Sequence, residues 1–440
     1  MLTRRSFLRQ TAAATTLLGF PGILRSASPN SHVQVAVVGA MGQGLSDLTQ
    51  IGSHEKVKFV GFCDVDTSRF SGADKKFPDV PHFQDYREML AKLADTVDAV
   101  QVSTPDHTHA PIALDAMRRG KHVYCQKPLT HTVWEARQLR LAADREKVIT
   151  QMGNQIHSAK EYRTGVKLIR DGVIGKIKAV HSWQGNRGNN YTKLSKRPTD
   201  KAAPPPESLN WDLWLGPAPQ REFVPGMYAP FNWRDWQDFG GGTMGDFGCH
   251  ILDPVFTALE LTAPQTIVAE NDGLHDETWP GAETITFTFP GTNFTAGSTL
   301  PVTWYDGGRK PDAALAQMPD DKKLPGGGSL FIGEGGTLIL PHVAMPSVYL
   351  ADKTDEFKVE ELKGANHYHV WIDAILAGTR TSDGFHYAGP LTETVQLGNV
   401  ATRVPGKTLE WDAEALKFRN SPEADKLVSK QYREGFQIPT

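Results

Sequence analysis

The sequence predicts two folded parts: an α/β domain with a doubly wound parallel sheet, then an α+β domain on a large, open, mostly antiparallel sheet. Three observations carry this. Apolar runs of strand length alternate with helically spaced segments from Val33 to residue 155, the pattern of successive βαβ units. The first strand-to-helix connection, Gly39-Ala40-Met41-Gly42-Gln43-Gly44, is rich in glycine. Beyond Thr262 the pattern changes to short strand-like runs broken by turn residues. The expected divisions are residues 1–30, 32–155 and 156–440.

A chain of 440 residues is long enough for two domains and a sizeable core. The formal net charge is −3 although the first 28 residues hold four arginines and no acid. The remainder is therefore clearly acidic, which argues against a nucleic acid or an anionic membrane as partner. Cys63, Cys125 and Cys249 show no metal-ligand spacing and read as buried free thiols. Thr3-Arg4-Arg5-Ser6-Phe7-Leu8-Arg9, followed by the mildly apolar run Thr11 to Leu24, is the twin-arginine export pattern. The run is short and rich in Thr and Gly for a spanning helix. No Ala-x-Ala cleavage site follows it. Export through the twin-arginine machinery to the periplasm is expected, with an anchored protein as the outcome if the signal stays uncleaved.

Val33 to Val38 reads as a strand and Leu45 to Ile51 as a helix. The glycine turn between them would bring backbone N–H groups and a helix N-terminus against a pyrophosphate. Its spacing, Gly-x-x-Gly-x-Gly, departs from the usual Gly-x-Gly-x-x-Gly, and glycines also serve ordinary turns. Val57 to Cys63 is a second strand ending in Asp64, 20 residues after Gly44. An acid at that place binds the adenosine ribose hydroxyls and repels a 2′-phosphate, favouring NAD over NADP. The alternative is an aspartate capping a helix at Thr67–Ala73. A helix at Asp85–Leu93, a strand at Val97–Val102 and a helix at Ala110–Arg119 follow. His107 and His109 between them could suggest a metal pair, but no metal is expected. The strand Val123 to Cys125 stops at Gln126-Lys127-Pro128, because proline cannot donate to a ladder. Lys127 then stands at the carboxyl edge of a parallel sheet, where ligands bind; a surface lysine capping the strand would look the same. A helix at Val133–Arg145, a strand at Val148–Met152 and a helix at Glu161–Asp171 complete the first part.

Ile177 to Gln184 reads as a strand and Gly185 to Leu209 as a long polar loop. Asn210 to Trp236 is dense in aromatic residues, which either stack on sugar rings or pack a core. If the stretch after Gly240-Gly241-Gly242 starts a helix, Asp246, His250 and Asp253 share one face. A capping aspartate with a packed histidine is the plainer reading. Strands are expected at Thr266–Glu270, Glu283–Phe289, Phe294–Thr299, Ser329–Ile332 and Thr337–Leu340, with a surface insertion at Tyr305–Gly328. Two late helices, His367–Ala377 and Thr392–Val404, precede a polar tail at Asp425–Thr440.

Gly120-Lys121-His122-Val123-Tyr124-Cys125-Gln126-Lys127-Pro128-Leu129 resembles the glucose–fructose oxidoreductase / inositol dehydrogenase (Gfo/Idh/MocA) family, whose strand ends in Glu-Lys-Pro; here Gln126 replaces the glutamate. Thr104, Pro105 and His109 match the family's Thr-Pro-x-x-x-His. Asp246-x-Gly-x-His250-x-x-Asp253 matches its second signature, and Tyr387 to Glu393 resembles a further segment. The resemblance spans roughly residues 32–405. It implies a Rossmann domain that binds NAD through Gly39, Met41, Gly42, Asp64, Thr104, Pro105, His109, Gln126, Lys127 and Pro128. It implies catalysis by His250 as base, oriented by Asp246, with Lys127 polarising the substrate oxygen. Gln155, His157, Trp236 and Tyr387 become candidate substrate contacts. The substrate would be a sugar, sugar derivative or cyclitol, and the open sheet would pack on a second subunit in a homodimer or homotetramer. Three functions remain open at this point. One is an oxidoreductase with a tightly bound cofactor. Another is a family 109-like glycosidase that uses NAD transiently. That route needs a further base, with His157, Tyr228, Tyr387 and His386 as candidates. The third is a non-enzymatic, cofactor-retaining binding protein.

Overall fold

The computed structural model describes residues 32–185, 193–229, 231–351 and 357–438; the twin-arginine segment lies outside them. The apolar runs of the first half are buried strands, as a parallel sheet covered on both faces requires. Among the described residues, six pair in parallel: β1 (Val33–Val38), β2 (Val57–Cys63), β3 (His82–Phe83), β4 (Ala99–Val102), β5 (His122–Gln126) and β6 (Thr150–Gly153). Their order is β3-β2-β1-β4-β5-β6, so the chain reverses direction across the sheet between β1 and β4. That switch point is where an open α/β sheet binds its ligand. The registers Val38↔Val102, Val102↔Cys125 and Gln126↔Gly153 align the carboxyl ends. Gly39, Ser103, Lys127 and Asn154 therefore leave the sheet side by side.

The second half builds a nine-stranded sheet among the described residues. Its strands are β7 (Ile177–Gln184), β8 (Thr266–Asn271), β9 (Glu283–Pro290), β10 (Thr299–Asp306), β11 (Gly327–Gly333), β12 (Gly336–Pro341), β13 (Ser347–Leu350), β14 (Leu409–Asp412) and β15 (Lys417–Phe418). They lie in the order β13-β12-β11-β7-β10-β9-β8-β14-β15. Only the β7/β10 pair is parallel among them. Period-two burial marks the half-covered sheet: Ile285, Phe287 and Phe289 of β9 are buried while the threonines between them are partly exposed. The buried face packs on the helices Gly242–Leu259 and Phe385–Thr402, and the apolar core continues from there into the first half. Residues 32–440 accordingly form one compact unit.

Four expectations change. The strand expected at Phe294–Thr299 begins instead at Thr299 and runs to Asp306 through Pro301. Proline is tolerated there because β9 pairs from Thr299 but β7 only from Val302, so Pro301 has a neighbour on one side alone. The insertion that follows is not loose, since Ala316 is buried against Trp183, Leu330 and Ile339. The helix expected at Thr392–Val404 starts at Phe385 and passes through Pro390. One lost helical hydrogen bond is outweighed by burial of every residue from Leu391 to Thr402. The helix expected at Thr67–Ala73 is broken into a 3₁₀ turn and a single α-turn.

Gly44 tests the glycine turn. A Cβ at Gly44 would lie 2.0 Å from the Gly39 carbonyl oxygen, which is backbone and cannot yield. Gly44→Ala should cost on the order of 3 kcal/mol and lower the thermal midpoint by several degrees. An unchanged midpoint in a melting experiment would contradict this packing.

Candidate active site

The carboxyl ends of the parallel strands open onto a cavity of about 780 Å³, at the upper end of ordinary ligand pockets. At one end Gly39 turns with φ +91°, and a Cβ there would meet the Ser103 carbonyl oxygen at 2.3 Å. Gly42, at φ +61°, opens the Gln43–Ile51 helix with no side-chain cap. Its first-turn N–H groups meet no capping side chain at the cavity wall, a donor set suited to a pyrophosphate. Gly39, Met41, Gly42, Asp64, Thr104 and Pro105 all line the cavity. The half-buried Asp64 carboxylate accepts the Ala40 N–H at 3.0 Å and the Asp66 N–H at 3.1 Å. Burial raises its pKa against these bonds. Asp66, not Asp64, caps the following turn, accepting the Ser68 N–H at 3.1 Å. These features fit a dinucleotide.

At the other end Lys127 leaves β5 on a cis peptide to Pro128. Its Nζ donates to Asp246 Oδ1 and to the Asp246 carbonyl, both at 2.7 Å. Arg234 Nε donates to the same Oδ1 at 3.0 Å, with the guanidinium stacked over Trp233 at 4.2 Å. Burial opposes the charge on Asp246, yet Lys127 and Arg234 hold its carboxyl well below the usual range. His250 lies one helical turn further on and also lines the cavity. Its orientation comes from Asn154 rather than from Asp246: Nδ1 meets Asn154 Oδ1 at 2.5 Å. The Asn154 amide is itself fixed, because its Nδ2 donates to the Cys249 carbonyl at 3.2 Å. An amide oxygen only accepts, so the ring proton sits on Nδ1 and Nε2 carries the lone pair. Burial, with the nearby Lys127 charge, pushes the His250 pKa well down and keeps the ring neutral. Sequence reasoning named Gln155, which lines the cavity, and passed over Asn154 beside it. The parallel register of β5 and β6 was the signal that could have found it.

The other expected residues are placed elsewhere. His109 is buried and spans the Pro128 and Thr104 carbonyls at 2.9 and 2.8 Å, so it braces the site from behind. His107 bonds the Trp214 carbonyl at 3.1 Å. Trp236 is fully buried in an aromatic core and stacks under Arg197 at 4.7 Å. His157 and Tyr387 meet at Asp253, away from the cavity: His157 Nδ1 lies 2.9 Å from Asp253 Oδ1, and the Tyr387 hydroxyl donates to the same oxygen. Asp253 is seven residues beyond Asp246, about 10 Å along the helix axis, so a shared face does not make a shared site. His386 lines a separate small cleft with Arg380 and Thr381. Tyr228 does line the cavity, buried, with a hydroxyl that has no hydrogen-bond partner among the described residues. Trp211, Trp214 and Trp233 supply aromatic walls.

Gln126 lines the cavity too, and its environment explains the missing glutamate. Its Nε2 donates to Asp47 Oδ2 at 2.8 Å. Ser103 Oγ reaches the same oxygen, while Gln43 Nε2 and the Tyr368 hydroxyl reach Oδ1. Burial raises the Asp47 pKa to about 6. A carboxylate already occupies this spot, so a second one at position 126 would face it without a donor between them.

Two outcomes follow from these charges. In Gln126→Glu the pair must share a proton, which raises a folded-state pKa above its unfolded value. The stabilisation from that proton is present at low pH and lost as pH rises through the folded value. The variant should approach parental stability near pH 5 and fall on the order of 2 kcal/mol below it at pH 8; parallel midpoint-versus-pH curves would refute this. His157 is the second case. Burial lowers its pKa, but Asp253 overcomes this and raises it to about 9. Its stabilisation, on the order of 3 kcal/mol, is complete below the unfolded pKa near 6.5 and disappears as pH rises through 9. His157→Gln should flatten the stability curve across that window, and a curve of unchanged slope would show that the pair contributes nothing.

Comparison with known proteins places the chain. Residues 33–154 match the description "Oxidoreductase family, NAD-binding Rossmann fold", and residues 160–295 match "Oxidoreductase family, C-terminal alpha/beta domain". Glycosyl hydrolase family 109 protein 1 of Shewanella sp. (strain ANA-3) is 31% identical over 154 residues, 33% of each chain. The match thus spans about a third of that curated relative's length. Among solved structures, the aldose-aldose oxidoreductase from Caulobacter crescentus superposes with a TM-score of 0.58 at 16% identity, covering 86% of this chain and 100% of that one. An oxidoreductase from Agrobacterium radiobacter, in complex with NAD+, L-tartaric acid and magnesium, gives 0.57 at 14% identity over 86% and 98%. These likenesses are of fold. With both halves matched in tandem over more than half of its length, the chain belongs to the Gfo/Idh/MocA oxidoreductase family.

Proposed function

We propose that the cavity holds NAD and that the protein moves a hydride between it and a hydroxyl-bearing carbon of a sugar, sugar derivative or cyclitol. The observation that carries this reading is the tautomer of His250: Asn154 leaves a neutral Nε2 lone pair in the same cavity as the glycine turn, Asp64 and Lys127. Bound NAD would supply the hydride acceptor. The chain's own residues do the rest. His250 Nε2 accepts the hydroxyl proton, and the Lys127 ammonium stabilises charge developing on the substrate oxygen. Asp246 and Arg234 hold Lys127 in place. Gly39, Met41 and Gly42 would take the pyrophosphate, and the Asp64 carboxylate the adenosine ribose, which favours NAD over NADP.

A second reading is kept because curated relatives are named glycosyl hydrolase family 109 proteins: hydride transfer would then begin a redox-neutral cleavage of a glycoside. The amino-terminal motif supports export through the twin-arginine machinery, which carries folded proteins, to a periplasm without a dependable supply of nucleotide. The cofactor is then retained for the life of the protein. The half-covered sheet supports assembly as a homodimer or homotetramer.

Purified mature protein should release about one nucleotide per chain on denaturation. Lys127→Met and His250→Ala should keep that nucleotide while turnover falls on the order of 100-fold to 10,000-fold. Empty protein with weak affinity for NAD, or near-normal turnover in both variants, would remove this reading.

A further inference from the structure

The polar tail returns to one end of the cavity. In the sheet order β3-β2-β1-β4-β5-β6, Lys127 leaves β5 and Asp64 leaves β2. A dinucleotide that lies along the carboxyl ends of the strands, with its reactive ring at Lys127, has its adenosine half toward β2 and β3. The cavity continues past Asp64 over the end of β3, where Gln84, Asp85 and Tyr86 line it. Phe436, from the tail, lines it too.

Terminal residues stay ordered only where they are tied down, and this tail is tied to several elements. Glu135 is fully buried on the Val133–Glu146 helix. One of its oxygens closes that helix's capping box, accepting the Thr132 N–H at 3.0 Å. The other accepts the Tyr432 hydroxyl at 2.7 Å and lies 3.0 Å from Lys430 Nζ. Lys430 also donates to the His107 carbonyl at 3.1 Å. Arg433 Nε donates to the Gly216 carbonyl at 2.9 Å, and its terminal nitrogens reach Asp212 and Gln220. Arg87 Nη1 donates to the Gly435 carbonyl at 3.0 Å, while Asp85 accepts from Nη2 of the same guanidinium at 2.7 Å.

These ties set the Phe436 ring. Gly435 makes the turn before it at φ +81°, a conformation that glycine adopts without steric cost. The guanidinium carbon of Arg87 lies 4.8 Å from the ring centroid and that of Arg433 4.6 Å, both within cation–π range. The two arginines that anchor the tail backbone therefore also clamp its aromatic side chain at the cavity wall.

We propose that Phe436 belongs to the nucleotide site: residues 430–438 form a strap over its adenosine end, with Phe436 packed against the adenine, and this strap sets how fast the nucleotide exchanges. The proposal deepens the reading above, that the cavity holds NAD, and rests on it. Adenine is a planar aromatic base, and a fixed aromatic side chain beside it adds contact area at little cost in rotamer freedom. To leave past the strap, a nucleotide must wait until the ties to Arg87, Asp212 and Glu135 open. Charge-assisted hydrogen bonds of this kind are the strong ones, so such openings are infrequent and exchange is slow.

The test uses the purified full chain with its bound nucleotide. Exchange is followed against labelled NAD, and the thermal midpoint is read on the same samples. Protein loaded by exchange with etheno-NAD, whose modified adenine is fluorescent, reports how far iodide reaches that base. Phe436→Ala should exchange its nucleotide on the order of 10-fold faster than the parent, and iodide should quench the bound fluorophore more strongly. Phe436→Tyr, which keeps the ring, should stay near the parental rate. Arg433→Gln, which loosens the strap and leaves Phe436 in the chain, should also exchange faster. Parental exchange and quenching in Phe436→Ala would overturn the proposal, whatever its thermal midpoint, since a ring that only packs the surface affects stability alone. An unchanged exchange rate in Arg433→Gln would overturn it independently. Parental protein that retains nucleotide while both variants exchange at its rate would overturn the strap and leave the NAD reading standing. Parental protein that releases no nucleotide on denaturation and takes up no etheno-NAD would overturn both.

Discussion

One buried carboxylate joins the two halves of the site. Asp246 belongs to the helix that underlies the second sheet, Lys127 to the edge of the first, and Arg234 to the short 3₁₀ turn that precedes that helix. Both cations converge on a single oxygen of Asp246. Taking these charges out of water is costly, and the arrangement stands only because two cations and well-formed hydrogen bonds offset the cost. Removing one partner would leave a buried charge uncompensated, a defect of about 3–5 kcal/mol. The same cluster reaches the residue next door, since burial and the Lys127 charge keep His250 neutral.

The Gly242–Leu259 helix transmits this arrangement. It is buried on nearly all sides, including its polar positions, so each polar residue must find a protein partner. Asp246 finds Lys127 and Arg234, and His250 finds Asn154. Asp253 finds His157 and Tyr387 on the far side. One signature thus does two jobs. Its first two residues line the cavity, and its third clamps the helix to the turn after β6 and to the Phe385–Thr402 helix.

The exchange of glutamate for glutamine at position 126 shows how a departure from a family pattern is absorbed. Asp47, on the first helix after the glycine turn, places its carboxylate against Gln126 and gathers donors from Ser103, Gln43 and Tyr368. The nucleotide end, the β4 turn, the reactive edge and the carboxyl-terminal half therefore meet at one buried acid. A neutral amide at 126 is what lets that acid keep a full set of donors.

Much of this molecule was written locally. The strands at Val33–Val38, Val57–Cys63 and Ile177–Gln184 and the helix at His367–Ala377 have the bounds that hydrophobic period alone dictates, because strand and helix period are properties of neighbouring residues. The glycine turn, Asp64, Lys127, Asp246 and His250 were legible for the same reason: each sits at a fixed offset from a strand end or a helix start. What tertiary structure decided is everything that depends on residues distant in sequence. Packing carried a helix through Pro390 and a strand through Pro301. The aromatic run at 210–236 packs one buried cluster, of which Tyr228 also lines the cavity while Trp236 does not. His157 and Tyr387, plausible by type, were drawn to Asp253 instead. Asn154, Arg234 and Asp47 carried no signal of their own, since the partner a side chain meets elsewhere in the chain is set by sheet register and helix packing. The sequence determined which residues could do the chemistry; the fold chose among them, because only three-dimensional proximity fixes which buried polar groups pair and which are left to meet a ligand.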